Sequence, residues 1–121
     1  MRWAFLDRWE SVLRIEGIAR GDRNVATSRV SSAFSDAGAS ILDVHFFSGV
    51  RTVLGFEVTP DRVPALREAL LAAGLELGDP SLRAMNAAER AEVDGEIAGT
   101  LAITFPDGDA DLAREVPEVP G

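Results

Sequence analysis

Three polar residues stand together after an apolar run: Asp22, Arg23 and Asn24. They fall where a helix is expected to begin. A helix N-terminus presents free N–H groups and the positive end of its dipole, which favour an anionic group. The carboxylate of a small ligand suits that place, with Arg23 adding charge. An ammonium could meet Asp22 or Asp43. The structural alternative is a plain capped helix start, since aspartate and asparagine are favoured there for that reason alone. His45 is the only imidazole, and Asp43 lies two residues before it. On a strand the two share a face, and such a pair can act as a general base. Ser11, Ser40 and Ser48 carry no nucleophile-elbow context, so an ordinary sheet histidine is the simpler reading. Asp107, Asp109 and Asp111 alternate, with Glu118 further on. The spacing is similar to a calcium loop, yet Leu112 stands where glycine is needed and Arg114 adds positive charge. An acidic turn explains it better.

Composition narrows the chemistry. The chain has 121 residues, no cysteine and one histidine. Disulfides, thiolate metal sites and cysteine nucleophiles are excluded. The size suits one domain with one two-layer core. The net charge is -8. Residues 1–75 hold 9 basic and 9 acidic groups, whereas residues 76–121 hold 3 and 11. An acidic chain repels phosphate backbones, so no nucleic acid and no anionic membrane is expected as a partner. No apolar run approaches the ~18 residues of a membrane-spanning helix. The first nine residues include Arg2, Asp7 and Arg8 and do not read as a secretory signal. A cytoplasmic protein is expected.

The elements that must position these groups follow from periodicity. Residues 10–19 read as a strand, with Leu13, Ile15, Gly17 and Ala19 on one face. A helix is expected from Arg23 or Asn24 to Ala37, ended by Gly38. Residues 41–47 and 50–59 alternate and are joined by Ser48-Gly49, which predicts an antiparallel hairpin. Thr59-Pro60 opens a second helix that Gly74 stops. Residues 75–77 begin a fourth strand. Asn86 with Glu89 resembles a capping box and predicts a short helix to about Glu96. Residues 100–105, after Gly99, align Leu101, Ile103 and Phe105 and predict an extra strand. Residues 106–111 read as a turn.

The order β-α-β-β-α-β is that of the ferredoxin-like α+β sandwich. Both helices then cover one face of a four-stranded antiparallel sheet. Leu13, Ile15, Leu42, Val44, Leu54 and Phe56 would meet the helices. Arg14, Glu16, Asp43, His45, Arg51 and Glu57, with Phe47, would line the open face. The acidic segment 78–121 extends the unit by a helix and a strand. Trp3, Phe5, Leu6 and Trp9 are expected to pack on the core or on a partner chain.

Segment 11–77 resembles an ACT domain, the small regulatory module that often senses amino acids. The resemblance rests on the strand Val12-Leu13-Arg14-Ile15-Glu16-Gly17, the loop Arg20-Gly21-Asp22-Arg23-Asn24, the passage Phe34-Ser35-Asp36-Ala37-Gly38-Ala39-Ser40-Ile41, and the helix end Leu70-Leu71-Ala72-Ala73-Gly74. In the family the first loop commonly runs Asp-Arg-Pro-Gly, where this chain has Asp22-Arg23-Asn24-Val25. The resemblance implies a ligand between that loop and an opposite wall at Ser40 and Ile41.

These readings combine into an expected function. The chain is read as a stand-alone ACT-like regulatory module that binds a small polar ligand, an amino acid among the candidates, as a homodimer. It is read as no enzyme, and no cofactor is expected. The candidate ligand-binding residues are Asp22, Arg23, Asn24, Ser40, Ile41 and Asp43. Two alternatives stay open. One is a dimeric α+β enzyme with a pocket around His45. The other is an interaction module whose acidic C-terminal third engages a basic partner.

Overall fold

The computed structural model describes residues 13–107. Strand β1 (Leu13–Ile18) leads to helix α1 (Arg23–Ala37). Strands β2 (Ser40–Ser48) and β3 (Arg51–Val58) form the expected antiparallel hairpin. A 3-10 turn over Pro60–Arg62 runs into helix α2 (Val63–Ala72). Then come the two-residue strand β4 (Glu76–Leu77), helix α3 (Asp79–Glu89) and strand β5 (Ile97–Thr104). The expectations for residues 1–12, and for the acidic stretch from Gly108 onward, lie outside the described residues.

Local chemistry explains most of these boundaries. Asp22 caps α1 and Gly38 ends it at φ 80°, a left-handed turn that glycine adopts without steric cost. Helix α3 corrects the expectation of a helix opening at Asn86. It starts at Asp79, with Pro80 in its first turn, where a missing N–H costs nothing. Asn86 lies near its end, and the Asn86 side-chain oxygen accepts from Arg67. The capping-box pattern lost to the proline start.

The sheet has five strands in the order β2-β3-β5-β1-β4. It is mixed: β5 runs parallel to β1 and antiparallel to β3. The expected four-stranded antiparallel sheet is therefore replaced by a wider one. Its anticipated centre, β3 beside β1, is separated by the strand that the sequence places in a C-terminal extension. Alternation along residues 100–105 is equally compatible with an edge or a central position, and pairing with β1 on one edge and β3 on the other puts the strand at the centre.

One core joins the helices to one face of this sheet. Phe34 of α1, Leu66 and Leu70 of α2, and Met85 of α3 pack with Ile15, Phe56 and Leu101 from the strands. The Phe34 and Phe56 rings lie 5.0 Å apart. At β4 the sheet is extended by a side chain. The buried Ser81 hydroxyl accepts from the Glu16 N–H at 2.9 Å and donates to the Glu16 carbonyl at 3.2 Å. It satisfies backbone of β1 that the short β4 leaves unpaired.

A row across the sheet shows where the cover ends. Ile15, Leu101, Leu54 and Val44 are lateral neighbours on the helix side. Their exposures are 1%, 0%, 3% and 39%. Leu42 and Val44 were expected to meet the helices, and both are exposed. Inserting β5 sets β2 one strand spacing, about 4.8 Å, further from β1. The helix layer covers β1, β5 and β3 and leaves β2 uncovered. Arg14, Glu16, Asp43, His45, Phe47 and Arg51 are exposed as expected, and Glu57 is half-buried.

Candidate functional site

The first loop is built largely to hold itself. The Asp22 carboxylate accepts from the N–H of Asn24 at 2.8 Å and of Val25 at 3.0 Å. The Ala26 N–H goes to the Asp22 carbonyl. The amides that a ligand carboxylate would use are thus already engaged. Arg23 donates to the Gly49 carbonyl at 3.2 Å, and its guanidinium lies 5.6 Å from the Phe46 ring centre and 6.0 Å from that of Phe105. It ties α1 to the β2–β3 turn through a bond and two cation–π contacts. The Gly21 N–H donates to the Asp107 carboxylate at 2.8 Å. Asp107, the first member of the calcium-like pattern, is thereby a loop anchor. Replacing Asp22 with alanine should lower unfolding stability by about 1 kcal/mol, measured by denaturant titration. An unchanged midpoint would show that water replaces the cap without loss.

The six candidate residues do not converge within one chain. Asp22, Arg23 and Asn24 stand at the start of α1, whereas Ser40 and Ile41 follow its end. The helix ends at Ala37, so 13 helical residues follow Asn24, or roughly 20 Å. Ser40 pairs with Glu57, at the far end of β3 from the Arg51 terminus that lies near the loop. Asp43 sits on the open face, where its carboxylate lies 3.6 Å from His45 Nε2. Both groups are exposed, and the His45 ring is 6.5 Å from that of Phe47. Of the six, Asn24 lines a concavity.

That concavity is an open groove of 690 Å³ between α1 and α2. Asn24, Ser28, Ser32 and Asp36 form one wall, and Ala69 and Ala72 the other. A second groove, of 460 Å³, lies where β1 meets β4, with Arg14, Glu16 and Glu76 on its walls. Beside it, Glu76 bonds Arg20 at 2.8 Å and raises the guanidinium further above its ordinary range. Arg67 and Glu89 pair at 2.9 Å between α2 and α3. Among the described residues no group of three or more His, Asp or Glu side chains is placed to hold a metal ion. Nor is any helix among them long and apolar enough to cross a membrane.

The feature that sequence reasoning missed is the β2 edge. Leu42, Val44, Phe46 and Phe47 are exposed by 44%, 39%, 63% and 67% on one outermost strand. The signal was present in the run Leu42–Phe47. An edge strand is usually blunted by lysine, other charges or proline, and this one contains no lysine, arginine or proline. Beside it, the buried Thr52 hydroxyl has no hydrogen-bond partner among the described residues. Thr52 pairs with Phe46 across the hairpin. Thr52→Val should leave stability unchanged or raise it by about 1 kcal/mol, because an unsatisfied buried hydroxyl contributes nothing to offset its desolvation. A clear loss in thermal melting would reveal a bond made through bound water.

No protein-family model matches this chain, and no curated protein or solved structure matches it. Its function is therefore argued from its own geometry.

Proposed function

We propose that this chain is a homodimeric binding module, ACT-like in its frame and regulatory in role, that associates through the edge of its sheet. The frame is read as a ferredoxin-like βαββαβ unit whose central pair has been parted by β5. Directions agree with this reading: β5 is parallel to β1 and antiparallel to β3, so β1 and β3 keep the opposed directions of that unit.

The observation that carries the reading is the uncovered β2. A nine-residue outer strand with four large apolar side chains in water is an association surface. Binding, not catalysis, is favoured because Asp43 and His45, the candidate acid–base pair, lie exposed to water on the sheet face. A ligand-sensing role would need a site other than the α1 amides that Asp22 occupies.

Sedimentation equilibrium tests the reading. A concentration-dependent dimer is expected. A monomer at the highest soluble concentration would remove it. Thermal shifts against free amino acids test the sensing role separately. A shift that survives Arg23→Ala would place the ligand away from the first loop.

A further inference from the structure

We infer that the dimer forms by antiparallel pairing of β2 with β2 of a second copy, centred on Val44. The inference rests on the dimeric reading above and specifies its contact. Strand β2 reads Ser-Ile-Leu-Asp-Val-His-Phe-Phe-Ser. Turned about a two-fold axis through Val44, it faces itself with matched chemistry. Val44 meets its own copy. Asp43 meets His45 of the second chain on the open face. Leu42 lies opposite Phe46, where the regular stretch of the strand ends.

A two-fold contact must be self-complementary, each residue meeting its mate twice. The segment around Val44 satisfies this and lies on the sheet edge with Leu42, Val44, Phe46 and Phe47 exposed. Between irregularities at 41/43 and 46/48 the pairing to β3 is regular from Asp43 to Phe46. That stretch alternates as a strand should, with Asp43 and His45 on one face and Val44 and Phe46 on the other. The intrachain approach of His45 to Asp43, at 3.6 Å, places both groups beside the proposed axis. Pairing would join two five-stranded sheets into one continuous sheet, with the apolar side chains of the two β2 strands packed side by side.

The register makes a specific test. The chain has no cysteine. In the full-length Val44→Cys variant the two thiols lie directly opposite one another, within reach of a disulfide. It should oxidise to a covalent dimer, while Leu71→Cys, exposed on α2, should not. His45→Glu sets carboxylates opposite each other twice and should raise the dimer Kd roughly tenfold. Asp43→Arg should weaken it too, by removing the carboxylate that faces His45. The double variant Asp43→Arg/His45→Glu should restore association, because each cross-strand pair then sets a guanidinium opposite a carboxylate. A dimer in which the Val44→Cys thiols stay reduced, and which is indifferent to both charge variants, would overturn this register and leave the dimeric reading standing. A monomer would overturn both. A monomer whose β2 amides resist hydrogen exchange would also overturn the inference, by showing that another segment of the same chain covers the edge.

Discussion

Replacing Gly99 with alanine should destabilise the chain by about 3 kcal/mol and lower Tm by roughly 10–20 °C. Gly99 lies in β5 between Leu13 of β1 and Phe56 of β3. A Cβ there would stand 2.4 Å from Phe56 Cζ, 2.7 Å from Phe56 Cε1 and 2.9 Å from the Leu13 carbonyl oxygen. The ring is fully buried and packs on Phe34, so it has no free direction to turn. The carbonyl is backbone of an adjacent strand and cannot move without the sheet. Gly17 provides the comparison. Its Cβ would stand 2.6 Å from Leu75 Cγ and 2.9 Å from each Leu75 Cδ. Leu75 is buried and must shift as a whole side chain, but no backbone stands among these nearest atoms, so Gly17→Ala should cost less than Gly99→Ala, about 2 kcal/mol. Adding Phe56→Leu to Gly99→Ala should return part of the loss, giving a double variant more stable than the summed singles. Equal melting of the wild type and Gly99→Ala would mean that Phe56 does not lie over β5.

The second large effect concerns β5 as a whole. A chain ending at Glu96 should show no cooperative thermal transition. Every residue of β5 pairs with β3, and Gly99–Thr104 pair with β1 as well. Leu101, Ile103 and Phe105 are at most 1% exposed. Burial of three such side chains is worth roughly 5–9 kcal/mol, against a total domain stability of ~5–15 kcal/mol. Their loss alone consumes most of that margin. The opposing possibility is physical too. With β5 gone, β1 and β3 have the directions needed to pair directly and close a four-stranded sheet. A truncated chain that melts cooperatively by circular dichroism would show that residues up to Glu96 contain a complete fold. The central position of β5 would then be an addition to that fold and not a condition of it.

These expectations depend on how the chain divides its information. Period-two alternation in β1, β2 and β3, and helical spacing in α1 and α2, lie in the residues themselves. So do the cap at Asp22, the stop at Gly38 and the start at Pro60, because each acts over a few neighbouring residues. The candidate site was less legible. Asp22, Arg23 and Asn24 were correctly located at a helix start, but whether their groups were free depended on Gly49, Phe46 and Phe105, distant in sequence. Alternation also marks two faces of a strand without stating what covers either. Leu54 and Val44 therefore looked alike in the sequence, although one is buried and the other exposed.

The amino-acid order by itself determined the type and succession of the elements up to β4, the apolar face of each, and the acidic bias of the last third. Tertiary structure alone decided that β5 enters between β3 and β1, and hence that β2 lies beyond the helices. The physical reason is that strand pairing is made by backbone groups every residue carries. Adjacency in a sheet is selected by the packing of the whole core, and no local pattern records it.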